Sequence, residues 1–204
     1  MGLMRDFFGP SREEIWRQLC NEIGADFVDG GFWKGDKVQA RVKNWTVTLD
    51  RYVVHAGKAV IVYTRLRAPF VSRDGFRFRA YRKSVFSGLG KMLGMQDIEA
   101  GSSARFDEDF ILQGNDEHKV RRLFANQEII RLLQEQPEVL FELKDDEGTF
   151  RSHFPEGVDE LWLQIHGDVK DVQRLKKLFD LFAEVLDELC RMGSATEEAP
   201  GVAL

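Results

Sequence analysis

Residues 36–83 alternate apolar and polar side chains with a period of two, and few folds accommodate that pattern. In a strand, successive side chains point to opposite faces. Over Asp36–Lys43, Val38, Ala40 and Val42 share one face, while Lys37, Gln39, Arg41 and Lys43 share the other. Trp45, Val47 and Leu49 alternate with Thr46, Thr48 and Asp50 over Trp45–Tyr52. Val60, Val62, Thr64, Leu66 and Ala68 alternate with Ile61, Tyr63, Arg65 and Arg67 over Ala59–Ala68. Phe76, Phe78 and Ala80 alternate with Arg77, Arg79 and Tyr81 over Gly75–Lys83. Each run is short, rich in β-formers and bounded by turn residues. The spacing therefore predicts four strands joined as antiparallel hairpins, with one face buried and the other basic.

The charge in this stretch is lopsided. Residues 36–83 hold twelve Lys and Arg against three Asp and Glu, while the whole chain carries a net −5. Pairing of the last two strands would set Arg65 and Arg67 beside Arg77 and Arg79. Like charges opposed across a sheet are destabilising unless something compensates them. An anionic ligand would do so, as would the acids of the remaining chain, Asp107 and Asp109 among them. The candidate anion footprint is Arg65, Arg67, Arg77, Arg79, Lys37, Arg41 and Lys43, with Tyr63 and Tyr81 interleaved. A nucleic acid or an acidic membrane surface would be its ligand.

The chain has 204 residues, enough to bury a core without disulfide or metal staples. Sixteen Phe imply that much of that core is aromatic. Cys20 and Cys190 lie on predicted helices without metal spacing and are expected reduced. Neither a signal peptide nor an apolar run of membrane-spanning length is read, so the expected location is cytoplasmic.

Helical periods flank the strands. Ser11 and Glu14 form a capping box ahead of Ile15, Trp16, Leu19, Cys20 and Ile23, and Gly24 stops the helix. A first strand is expected over Asp26–Trp33, and a short helix over the glycine-bearing stretch after Lys83. Residues 94–116 read as a polar loop and then a strand that turns Phe106 and Phe110 inward. Asp107, Glu108 and Asp109 would then alternate faces and could not converge on one metal ion with Asp97 and Glu99. Asn115-Asp116 and Asn126 cap two short helices. Strands follow over Glu138–Lys144, Thr149–Phe154 and Glu160–His166. A long helix runs from Asp168 or Asp171 to Met192, with Val172, Leu175, Leu178, Phe179, Phe182, Val185, Leu186 and Leu189 as its stripe. The fold class is α+β, an antiparallel sheet built from both halves with the N-terminal, middle and long C-terminal helices packed on it. The expected organisation is one domain over residues 5–193, divisible into lobes at 5–93 and 94–193, and then a disordered tail over 194–204.

Gly94-Met95-Gln96-Asp97-Ile98, Phe106-Asp107-Glu108-Asp109-Phe110 and Gly114-Asn115-Asp116, followed by a Leu/Ile-rich helix, strands and a long final helix, carry a resemblance. Over residues 94–192 the chain resembles uncharacterised bacterial domains of unknown function. The resemblance implies a bacterial context, cytosolic or membrane-associated. It supplies neither an activity nor site residues.

Motifs for chemistry are scarce. Gly88, Gly90 and Gly94 lack the Gly-Lys-Ser/Thr ending of a phosphate loop. Among His55, His118, His153 and His166, only His153 and His166 fall on strands that could be neighbours, and a hydrolase-like site would have to use them. The reading that assumes least is a non-enzymatic binding domain without a cofactor, whose partner is another protein or a second copy. The alternatives are the anion-binding module and the hydrolase.

Overall fold

The computed structural model describes residues 9–31, 35–84, 96–145, 154–202 and 204. Its frame is one antiparallel sheet. The strands are β1 (Asp26–Val28), β2 (Lys37–Val42), β3 (Trp45–Ala56), β4 (Ala59–Val71), β5 (Phe78–Arg82), β6 (Gln96–Ile98), β7 (Phe110–Gly114), β8 (Val139–Asp145) and β9 (Val158–His166). They lie in the order β1-β2-β3-β4-β9-β8-β5-β7-β6. The helices are α1 (Arg12–Ile23), α2 (Ala104–Asp109), α3 (Glu117–Leu123), α4 (Gln127–Gln134) and α5 (Val172–Met192). The α+β class read from the sequence is the class observed.

One sheet face and the helices make a single core. Val38, Ala40, Trp45, Val47, Leu49, Leu66, Ala68, Phe70, Phe78, Phe141, Leu161 and Leu163 are buried in the same cluster as Trp16 and Leu19 of α1 and the stripe of α5. Removing each such large side chain from water contributes about 1.5–3 kcal/mol, so this face fixes the register of every strand that crosses it. Phe78 meets Phe124 and Phe141 edge-on with centroids 5.6 and 5.4 Å away, an orientation that suits ring quadrupoles. α1 begins with the predicted capping box at Ser11 and Glu14 and ends at left-handed Gly24. Asp171 caps α5, and Gly193 (φ 78°) closes it.

The four basic-stretch strands do not form one meander. β2, β3 and β4 do, but β5 leaves them and pairs with β7 and β8. β9 and β8 stand between β4 and β5. Pairing of Arg65 and Arg67 against Arg77 and Arg79 is thus avoided, because strands that bring carboxylates intervene. The consecutive acids Asp107–Asp109 lie on α2, not on a strand. Ser103 caps this helix, and Phe106 packs between Phe110 and Phe124 with centroids 4.6 and 5.6 Å away. The period of two read there was a short helical turn. β1 is also shorter than expected, ending at Val28. The helix expected after Lys83 and the strand expected over Thr149–Phe154 fall wholly or mostly outside the described residues.

The segment after α5 is not free of the body. Ala195 bridges Ser72, Thr196 N–H donates to the Val71 carbonyl at 3.0 Å, and Ser194 and Ala195 are buried. This differs from the expected disorder. Small residues fit closely beside the end of β4, and backbone hydrogen bonds hold them there.

Gly114 illustrates how tightly the second half is seated. A Cβ there would stand 2.4 Å from Val120 Cγ2 and 3.1 Å from the Arg77 carbonyl oxygen. Asn115 beside it accepts from Arg77 N–H at 2.8 Å and donates to the Gly75 carbonyl at 2.9 Å. Gly114→Ala is therefore expected to lower stability by about 1–3 kcal/mol, because β7 cannot retreat from α3 without losing that clamp. Urea unfolding of the variant checks this, and an unchanged midpoint would contradict the close approach.

Candidate functional site

The sheet face turned away from the core cluster carries the predicted basic residues. Following directly opposed residues, one row crosses all nine described strands: Asp26, Gln39, Thr48, Arg67, Trp162, Glu142, Arg79, Gln113 and Asp97. The row beside it runs Lys37, Asp50, Arg65, Gln164, Leu140, Tyr81 and Ile111. Cations and anions alternate along these rows.

Arg65, Arg67, Arg77 and Arg79 each meet a carboxylate of the same sheet. Arg65 donates through Nε and Nη2 to both oxygens of Asp50, at 2.7 and 2.6 Å. Arg67 shares Asp50 at 2.9 Å and lies 3.7 Å from Glu160. Arg77 makes a two-pronged pair with Asp159 at 2.6 and 2.7 Å. Arg79 donates to Glu142 at 2.7 Å, and Lys144 reaches the other oxygen of Glu142 at 3.0 Å. Arg65, Glu142, Asp159 and Glu160 are buried. Asp107 and Asp109 play no part in this. Asp107 accepts from the backbone of Ala100 and Gly101, and Asp109 pairs with Arg82.

Trp162 sits in the middle of the ladder. Its ring has Lys144 Nζ 3.5 Å from the centroid and the Arg65 guanidinium at 4.8 Å. Arg65 also lies over Tyr52 at 4.5 Å. The Nη1 of Arg65 has no hydrogen-bond partner, and the two aromatic faces take that role electrostatically. The arrangement neutralises the arginines internally.

The rest of the footprint lies at one margin of the sheet. Lys37 donates to the Leu204 carbonyl, Arg41 Nε donates to the Lys43 carbonyl at 3.1 Å, and Lys43 pairs with Asp187 of α5 at 2.6 Å. Hydrogen bonding to Asp187 raises the Lys43 pKa, with burial opposing it.

A second feature comes from strand length. β2 pairs with β3 only up to Asp50, and β9 pairs with β4 only from Thr64. Between them β3 and β4 continue as a ribbon in which Tyr52 opposes Tyr63, Val53 opposes Val62, Val54 opposes Ile61 and His55 opposes Val60. At about 3.4 Å per residue, the six positions 51–56 run roughly 20 Å. Gly167 meets the base of the ribbon, through its bridge to Tyr63 and its hydrogen bond to the Val62 carbonyl. The ribbon's Val and Ile residues lie outside the core cluster, and Val60 is 61% exposed. The sequence hinted at this through Val53, Val54 and the Gly57-Lys58 turn, but ending the strand at Tyr52 hid the ribbon's length.

The histidine pair is not brought together in view. His166 is exposed, 3.7 Å from Glu138 and against the ring of Tyr63, while His153 lies outside the described residues. Among the described residues no group of three His, Cys, Asp or Glu is placed to hold a metal ion, and no helix is long and apolar enough to cross a membrane. Cys20 and Cys190 are free thiols whose pKa values burial pushes up, which makes them poor nucleophiles.

The fold and this face define an α+β domain with one wide antiparallel sheet, helices packed on one side and a charged, aromatic opposite side. The structure of the mycobacterial trehalose monomycolate transport factor A, TtfA, is similar to it, with a TM-score of 0.51 and 9% identity, covering 87% of this chain and 94% of that one. The likeness is one of fold. No protein-family model matches the chain, and no curated protein matches it.

Proposed function

We propose that this is a non-enzymatic interaction domain and that the β3–β4 ribbon is its contact with a protein partner. The projection of Tyr52–Tyr63 beyond its flanking strands carries the reading. A two-stranded ribbon is marginal by itself in water. Edge strands are normally protected by charges, prolines or bulges. Here the charges are Arg51 at the base and Lys58 at the tip, with β-branched residues between them. Such an edge suits strand addition, in which a partner segment completes the ladder and covers the valines. Simple burial in a bilayer suits it less, because open backbone edges go unsatisfied in hydrocarbon. A fold shared with a transport factor is compatible with an accessory, binding role.

The experiment is site-specific photo-crosslinking in cells, with the reactive side chain at Val60 and, as a control, at Glu13 on the exposed face of α1. Discrete adducts to the same protein are expected from Val60 and not from Glu13. Equal labelling from both positions would sink the reading. Val60→Lys should abolish the contact while changing stability by no more than about 0.5 kcal/mol, because its side chain meets mainly solvent.

A further inference from the structure

A different surface carries a second site. After Gly193 the chain leaves the end of α5, rounds the end of the sheet between β4 and the Lys43-Asn44 turn, and crosses onto the polar face. It docks through the Ser72–Ala195 bridge, the Arg73 N–H to Ser194 carbonyl bond at 3.0 Å and the Thr196 N–H to Val71 bond. Asn44 Nδ2 then donates to the Glu197 carbonyl at 2.6 Å. Farther on, Gln39 Nε2 donates to the Leu204 carbonyl at 3.4 Å, beside Lys37. Between these anchors the segment does not fill its bed. An open hollow of about 270 Å³ separates Ala199–Val202 from Arg41, Thr46 and Pro69. Another of about 540 Å³ lies at the sheet end, where Glu197 and Glu198 pass Arg73, Asn44 and the α5 end at Cys190 and Gly193. The hydrogen bonds that hold the segment lie at its two ends, Ser194–Glu197 and Leu204.

We infer that this channel, from the α5 end of the sheet onto the polar face, is a docking site for an extended partner segment of the same chemistry, two acids followed by small residues and proline, and that residues 197–202 and 204 occupy it from within the chain. The charges match. Arg73 lines the hollow beside Glu197 and Glu198, Lys43, which also pairs with Asp187, lines the one beside Glu197, and Lys37 and Arg41 border the far end. The backbone donors and acceptors match as well, because an extended segment presents its carbonyls to Asn44 and Gln39 whatever its side chains. The tail is thus a tethered competitor. A linker this short gives it an effective concentration in the millimolar range, so a free segment binds only when the tail is absent or outmatched. This site is separate from the ribbon, and either can fail without the other.

The test uses a fluorescent synthetic peptide, Glu-Glu-Ala-Pro-Gly-Val-Ala-Leu, titrated against the full chain and against a chain ended after Thr196. That truncation keeps the α5 cap and the Ser72–Ala195 bridge. Binding to the shortened chain is expected to be saturable and at least ten-fold tighter than to the full chain. Exchanging the two acids of the peptide for lysine should remove it, as should Arg41→Glu in the shortened chain. Should truncation lower the melting temperature, Glu197→Lys with Glu198→Lys in the full chain supplies the second reading. It weakens the hold of the tail, leaves the residues of the channel intact and should raise peptide affinity several-fold. Equal binding to both chain lengths together with no effect of this double variant overturns the inference. So does equal binding of the lysine peptide.

Discussion

Asp50→Asn is expected to lower the unfolding free energy by about 3–5 kcal/mol, the range for removing one partner from a buried ion pair. The substitution preserves size and removes one charge. Three hydrogen bonds from Arg65 and Arg67 converge on the two Asp50 oxygens. Glu160 remains 3.7 Å from Arg67, but no other described salt bridge reaches Arg65. The Arg65 side chain is 7% exposed, so water cannot replace the lost carboxylate. Urea denaturation measures the effect. A midpoint shift equivalent to less than about 0.5 kcal/mol would mean that the ladder is solvated and energetically ordinary. The companion variant is Asp50→Leu with Arg65→Met. Charge pairs of this kind are often no more stabilising than well-packed apolar groups, so the double variant should recover much of the loss. That outcome would assign the ladder to register and solubility of the polar face, with little net contribution to stability.

The sequence displayed the alternation on both faces but not the neighbours. Period two set Arg65 and Arg67 opposite the core, and they are there. Strand order decides what stands beside them, and nothing local in residues 59–83 says that Trp162 and Glu142 will be interposed. The compensation of the arginines was foreseeable as a need, while its source was not. Asp107 and Asp109 were the conspicuous acids, yet the acids that answer are Asp50, Glu142 and the adjacent Asp159 and Glu160, all within strands. An acid inside a strand otherwise buried on both faces, as in β8 and β9, is the signal that could have found three of them, because such a group requires a partner. The helix Ala104–Asp109 was misread for a related reason. Phe106 and Phe110 are four apart, a spacing that both an even-numbered strand period and one helical turn satisfy, and Ser103 as a cap was the tie-breaker.

Expressed separately, residues 1–84 and residues 96–204 are both expected to lack a cooperative melt, while the unbroken chain has one. The reason is that the strand order interleaves the halves. β4 from the first half pairs with β9 over eight positions, Thr64–Val71 against Val158–Ile165. β5 from the first half stands between β8 and β7 of the second and holds them in one sheet. Residues 1–84 alone would expose Trp45, Leu49, Leu66, Phe70 and Phe78, all buried against the other half's elements or the shared helices. At about 1.5–3 kcal/mol for each of these five large apolar side chains, the loss is about 7.5–15 kcal/mol, as large as the 5–15 kcal/mol by which a domain is ordinarily stable. Residues 96–204 would keep the β8–β9 pair and α5 but lose the strand that joins β7 to them. Mixing the fragments should restore the β-sheet circular dichroism signal and a single transition, because each half offers the other its missing edge. A cooperative transition in residues 1–84 alone would instead establish two lobes. It would also require β4 to tolerate an open edge along its whole length, the condition that the ribbon beyond Thr64 meets only over a short stretch.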